Sequence, residues 1–276
     1  MKKAVVVMLV LTLINMCDAH VSYVGRDFGA FDPVVSRNVT ISNNTLTSDY
    51  GWASGTDSNI GDTHKLRAFK FTMNSAGSIS IQILGLSFDR SGIPIAALAL
   101  PAFSLYKGLA HESPALSDHD TSVISALYNN TTYGSGNWQG SFRALGDWKI
   151  GNDDGVVFGD LSSFSYIGNG ADGTPLDYGF SSGISGDGTS DGMIVETFNL
   201  DVGSYSIFVG GGKYYDLLNN GGDSSSSFGF LATMSTIPEP SSRFLLFSGL
   251  GWWLIHRNRG KEKKTERLSS VKRNLN

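Results

Sequence analysis

Apolar and polar residues alternate with a period of two in several short segments of the chain. The three isoleucines of segment 78–83 fall on one face, and the two phenylalanines of segment 69–73 do the same. Such alternation is typical of β-strands that bury one side. Further strands are predicted at 193–200, 204–209 and 228–230, and a single helix is predicted around 117–128.

The composition of the central region also favours strands joined by turns. Residues 20–236 hold 31 Gly and 19 Asp but only two Glu. Gly and Asp favour turns, whereas Glu is a good helix former. We therefore predict an all-β domain at 20–236, a jelly-roll-like β-sandwich. An N-terminal signal helix and a short C-terminal transmembrane helix are predicted to flank this domain.

The first 19 residues have the pattern of an export signal. Lys2 and Lys3 precede an apolar run at 4–14, and small residues at Cys17 and Ala19 suit cleavage before His20. Cys17 is the single cysteine of the chain, so the mature protein is predicted to contain no disulfide. Segment 1–19 is thus interpreted as a signal peptide.

The last 40 residues, 237–276, form a second distinct segment. Pro238, Glu239 and Pro240 precede an apolar run at 244–255, which is short for a helix that spans a membrane. A basic tail at 257–276 follows, and its residues nearest the apolar run would stay on the cytoplasmic side of a bilayer: Arg257, Arg259, Lys261, Lys263 and Lys264.

This C-terminal arrangement resembles the PEP-CTERM sorting domain of Gram-negative bacteria. The resemblance covers the Pro-Glu-Pro motif, the short apolar helix and the basic end. It implies transient insertion in the inner membrane and cleavage near the motif by the membrane protease exosortase. It also implies delivery to the cell surface or the extracellular matrix, with a role linked to exopolysaccharide and biofilm.

The central domain is similar to the pre-peptidase C-terminal class of secreted bacterial sandwiches. The segments that carry this similarity are 69–72, 103–106, 152–155 and 203–209. It implies a β-sandwich fold and no particular activity.

The net charge of the central region and the absence of two common catalytic motifs argue against some classes of function. Residues 20–256 hold 11 basic and 22 acidic residues, a net charge of −11, which would repel the phosphates of nucleic acid. The sequence has neither a Gly-x-Ser-x-Gly elbow nor an HExxH motif, so no catalytic residue is assigned. We therefore expect binding rather than catalysis, and the resemblance to the PEP-CTERM sorting domain implies that this exported protein has a structural or adhesive role.

Calcium is the first cofactor that the sequence suggests. Closely spaced carboxylates on Gly-rich loops are typical ligands of Ca²⁺, and the chain offers Asp153 and Asp154 in one loop and Asp187 and Asp191 in another. The alternative is that these carboxylates bond nearby backbone amides in turns.

Exposed aromatic rings are the other candidate binding groups. A flat ring can stack on a sugar, and Trp52 and Trp138 lie in polar, Gly-rich segments. We predict that these two bind carbohydrate, whereas Trp148 is expected in the core.

The alternative function is a secreted enzyme that acts on polysaccharide. Cleavage before His20 would place a histidine at the mature N-terminus, as in copper monooxygenases, with His64, His111 or His119 as its partner. A glycosidase would instead need two Asp carboxylates at a suitable separation.

Overall fold

The computed structural model describes residues 21–53, 60–110, 121–122, 141–151, 162–179, 183–213 and 226–238. Strands are the dominant regular structure of these residues, with one 3₁₀ turn at Thr63–Lys65 and one short helix, α1, at Pro175–Tyr178. The first eight strands are β1 Asp27–Phe31, β2 Asn38–Leu46, β3 Ile60–Asp62, β4 Arg67–Met73, β5 Gly77–Gly85, β6 Phe88–Arg90, β7 Ile93–Ala97 and β8 Pro101–Lys107. The others are β9 Thr121–Ser122, β10 Ser141–Arg143, β11 Trp148–Gly151, β12 Ser162–Ala171, β13 Met193–Leu200, β14 Gly203–Gly211 and β15 Phe228–Ile237.

Two large sheets contain most of these strands. Sheet A has seven strands in the order β1-β4-β14-β8-β12-β11-β9. Sheet B has the order β13-β5-β15-β7-β6, and β2 pairs with the other edge of β15. Most neighbours are antiparallel, but β1 runs parallel to β4 and β7 runs parallel to β15. A small two-stranded sheet joins β3 and β10.

The two large sheets share one apolar core. Sheet B contributes the buried isoleucines of β5, whose polar neighbours point the other way. Sheet A contributes rings from β4 and β8, among them Phe69, Phe71 and Phe103. Apolar and polar residues alternate in β4 and β5 because only one side of each strand faces this core.

Sheet A is also covered on its other side. A second buried cluster contains Trp52, Tyr106, Trp148, Phe164 and Phe208, packed with residues of the segments 21–23, 171–178 and 183–184. Strands β8 and β14 lie between the two cores, and this explains why seven consecutive residues of β14, from Tyr205 to Gly211, are buried. Sheet B has no comparable apolar cluster on its outer side among the described residues.

The prediction of an all-β protein is confirmed. The strands predicted at 69–73, 78–83, 193–200, 204–209 and 228–230 all lie within β4, β5, β13, β14 and β15. The jelly-roll description stays a prediction. The predicted helix at 117–128 is wrong at residues 121 and 122, which form strand β9 beside β11; the rest of that segment lies outside the described residues.

The predicted terminal helices, at 1–19 and 244–255, lie outside the described part of the chain. Within the described part, no helix combines the length and the apolar character that crossing a bilayer requires.

Candidate functional site

Four carboxylates gather in the turns between β12 and β13, and we call them the acidic turn cluster: Asp172, Asp177, Asp187 and Asp191. Backbone hydrogen bonds hold the turns together, from Gly173 N to the Thr189 carbonyl at 2.9 Å and from Gly188 N to the Gly173 carbonyl at 2.9 Å. Helix α1 begins here because Thr174 and Asp177 form a capping box, with Pro175 as the first helical residue.

Each carboxylate of the cluster accepts hydrogen bonds from nearby turns. Asp172 accepts from the backbone N–H groups of Asp191 at 3.1 Å and Gly192 at 2.9 Å, one on each oxygen. Asp187 Oδ1 accepts from Gly173 N and from Thr189 N. These bonds tie β12 to the start of β13.

The other two members are bonded in the same way. Asp177 Oδ2 accepts from Thr174 N and Thr174 Oγ1, both at 2.7 Å, and from Ser190 Oγ at 2.9 Å. These bonds lower the pKa of Asp177. Asp191 Oδ1 accepts from Met193 N at 3.1 Å. Asp187 and Asp191 thus each keep one carboxylate oxygen, Oδ2, with no hydrogen bond inside the described part of the chain.

Asp172 is the member with the most unusual environment. Its side chain is buried, and burial raises its pKa from 3.8 to about 6, with a smaller contribution from the negative charges of Asp187 and Asp191. The two backbone N–H bonds oppose this shift. A cation near the cluster would relieve the repulsion between these charges.

The structure brings Asp187 and Asp191 into one turn region, as the sequence predicted, and adds Asp172 and Asp177, which the sequence analysis missed. Across the described residues, no three carboxylate, imidazole or thiolate groups converge on one point. Calcium binding by Asp187 and Asp191 therefore stays a prediction. Both side chains fill the turn role that the sequence left open as the alternative.

Trp52 does not lie on the surface, and this prediction is wrong. Its side chain has no exposed area, its indole Nε1 donates to Ser104 Oγ at 2.8 Å, and its ring packs edge to face on Tyr178 at 6.3 Å. The segment that contains Trp52 can approach β14 closely because Gly211 has no side chain. A Cβ at that position would lie only 2.0 Å from the carbonyl carbon of Asp49. A ring buried in this way cannot stack on a sugar.

Trp52 can be buried because a serine of sheet A accepts a hydrogen bond from its indole, and the local sequence around Trp52 does not reveal this partner. Ser104 is fully buried on β8, accepts from the indole and donates to the Ala144 carbonyl at 2.6 Å. Ser206 on β14 plays a matching role, because it bonds Tyr23 Oη at 2.6 Å and donates to the Gly108 carbonyl. Trp148 is buried in the same layer, as expected.

The remaining predicted site residues are distributed as follows. Pro238 is exposed directly after β15, and His64 Nδ1 lies 2.7 Å from Asp62 Oδ1. The others lie outside the described residues: Asp153, Asp154, Trp138, His20, His111, His119, Glu239, Pro240, Arg257, Arg259, Lys261, Lys263 and Lys264.

Comparison with known proteins gives structural similarity only. No protein-family model matches the sequence, and no curated protein matches it. The chain is similar to CorA, a surface-associated copper-binding protein important in copper acquisition by Methylomicrobium album BG8, at 15% identity over 76% of this chain and 97% of CorA, with a TM-score of 0.44.

A second solved structure is MopE, a secreted copper-binding protein of Methylococcus capsulatus. It is 14% identical over 76% of this chain and 87% of that chain, with a TM-score of 0.39. No functional property is carried from either protein to this chain.

Proposed function

We propose that this protein is exported and sorted through its PEP-CTERM-like segment to the cell surface or extracellular matrix, where it has a structural or adhesive role linked to exopolysaccharide. The observation that carries this proposal is where the last described strand ends. Strand β15 is an interior strand of sheet B and ends at Ile237, and exposed Pro238 follows at once. The proposed sorting motif thus begins where the last described strand stops.

The end of β15 is fixed well enough to tolerate a cut just beyond it. Thr236 N donates to the Arg37 carbonyl at 2.9 Å, and Thr236 Oγ1 accepts from Arg37 N at 2.8 Å. Cleavage after Pro238 would remove no described strand and break none of these bonds. Processing would therefore release a folded domain.

Mass spectrometry of the extracellular protein tests the sorting proposal. The mature chain should start near His20 and end near residues 238–241, as cleavage by an exosortase-type protease would leave it. Replacing Pro238, Glu239 and Pro240 with alanine should leave the protein in the inner membrane. Replacing Ser241 and Ser242 with alanine provides a matched control that keeps the motif. A secreted species that retains Trp252 and the basic tail would contradict the proposal.

We expect the protein to bind polysaccharide without changing it chemically. Nucleic acid is not a proposed partner. The enzymatic alternative has a direct test. Purified protein is incubated with polysaccharide, copper and a reductant, and the products are analysed by mass spectrometry. Intact polysaccharide supports the binding role. The protein used is the mature form that begins at His20, and oxidised sugars that disappear in the His20→Ala variant would replace that role with copper monooxygenase activity.

A further inference from the structure

Two rows on the outer side of sheet B consist mainly of uncharged polar side chains, and the partly exposed apolar residues Met193, Leu84 and Leu231 form the adjoining row on the same side. The strand register aligns Thr197 of β13 with Ser80 of β5 and Ser235 of β15. The next row aligns Gln82 with Thr233, and Thr233 with Thr40 of β2. We call these six residues the outer polar face. Its rows repeat about every 7 Å along the strands, and neighbouring strands are about 4.8 Å apart.

This face carries no formal charge, although the chain around it is strongly acidic, with a net charge of −11 over residues 20–256. Two charged side chains on these strands and their flanks, Glu196 and Arg37, point elsewhere. Glu196 on β13 pairs in register with buried Ile81 and so belongs to the inner side. Arg37 donates to the Phe28 carbonyl at 3.0 Å and lies over the Phe31 ring.

Several side chains of this surface are held in place before any partner arrives. Thr40 Oγ1 and Thr233 Oγ1 are 2.9 Å apart, and Gln82 Nε2 donates to Met193 Sδ at 3.0 Å. Ser80 and Ser235 form no side-chain hydrogen bond within the described residues, so their hydroxyls remain available. A surface with fixed side chains loses little conformational entropy when it binds.

The uncharged hydroxyl and amide groups of the outer polar face indicate which kind of partner could bind to it. A second copy of the chain would bury two layers of hydroxyl and amide groups against each other, whereas the buried centre of a homodimer interface is predominantly apolar. A polymer rich in hydroxyl groups can instead exchange hydrogen bonds with Ser, Thr and Gln, directly or through water. Apolar side chains at the margin, Val195 and Ile237, are partly exposed and suit the CH groups of sugar rings.

We propose that the outer polar face binds a neutral polysaccharide that lies across strands β13, β5, β15 and β2. This inference rests on the proposed matrix-associated function and gives it a surface and a ligand class. A neutral polymer is favoured because the face offers no cation to an acidic polysaccharide, and the acidic body would repel one. This site replaces buried Trp52 as the predicted contact with carbohydrate.

Binding of purified full-length protein to soluble dextran, mannan and a mixed-linkage β-glucan tests the proposal, with alginate as the acidic polysaccharide. At least one neutral polymer should bind, alginate should not, and binding should be the same at low and high salt. The Ser80→Ala/Ser235→Ala double variant removes two hydroxyls without adding charge and should weaken binding roughly fivefold to tenfold. Thr197→Lys should weaken binding more than tenfold, because an ammonium group would be covered without a counter-ion.

Val34→Lys is the matched control, because Val34 is 80% exposed and lies in the loop between β1 and β2. This variant should bind like the wild type, and circular dichroism should show that all variants remain folded. Equal binding by wild type and face variants would overturn the proposal, as would binding of alginate alone. So would face variants that change only self-association in sedimentation experiments.

Cell fractionation separates this proposal from the proposed function. Matrix-associated protein that binds none of the neutral polymers would overturn the face assignment and leave the sorting proposal standing. Protein that never leaves the inner membrane would contradict the sorting proposal, whatever the purified protein binds.

Discussion

Replacing Trp52 with alanine should strongly destabilise the folded protein. The side chain has no exposed area and lies in the layer that covers the outer side of sheet A. Truncation of a fully buried Trp costs about 3–5 kcal/mol through lost burial and the cavity that remains. A typical domain has a free energy of unfolding of about 5–15 kcal/mol, so this one change would remove a large part of it.

The hydrogen bond to Ser104 can be measured separately. Trp52→Phe keeps most of the packing and removes the N–H donor, which should cost about 1 kcal/mol for the hydrogen bond, in addition to the smaller ring. Ser104→Ala leaves a buried indole N–H without its acceptor, which should cost about 1–3 kcal/mol. The double variant should cost less than the sum of the two, because both single changes break the indole–hydroxyl bond, although Ser104→Ala also removes the bond to the Ala144 carbonyl.

Urea unfolding followed by far-UV circular dichroism measures these free energies, and this signal does not depend on Trp52 fluorescence. The free energy of unfolding should decrease with little change in the slope against urea. A loss below about 0.5 kcal/mol for Trp52→Ala, the range of ordinary surface substitutions, would refute the buried position of this ring.

Three further predictions concern charged groups. Burial raises the pKa of Asp172 to about 6, so between pH 4 and pH 6 the folded protein holds a proton that the unfolded chain has lost. The contribution of Asp172 to the free energy of unfolding therefore falls as pH rises through this window, by up to ~3 kcal/mol. Thermal unfolding at several pH values measures this fall, and Asp172→Asn should flatten the dependence of stability on pH. Lys213→Ala should lower the free energy of unfolding by about 1–3 kcal/mol in urea, because Lys213 Nζ, on a partly exposed side chain, lies 2.8 Å from the buried carboxylate of Asp49. If Asp187 or Asp191 binds calcium, Ca²⁺ at a hundredfold excess over its Kd should add about 2.7 kcal/mol to the free energy of unfolding, and identical melting temperatures in EDTA and calcium would leave these residues with their turn role alone.

The fold class could be predicted from the sequence because several strands meet the core with only one side. The isoleucines of β5 and the rings of β4 alternate with polar residues for this reason, and both strands were located from that pattern. The same pattern carried information about the outer polar face, since the polar positions of β5 must point away from the core. Turn-rich composition added the expectation of many short connections.

Tertiary structure alone decided which residues near the turns and loops are buried. Trp52 stands in a polar, Gly-rich segment, but Ser104, 52 residues away, supplies the acceptor that lets its indole be buried. Asp172 likewise depends on N–H groups of Asp191 and Gly192, which reach it only when β13 follows β12 across the turns. Burial of a polar group depends on partners that are distant in sequence, and a local pattern carries no information about such partners.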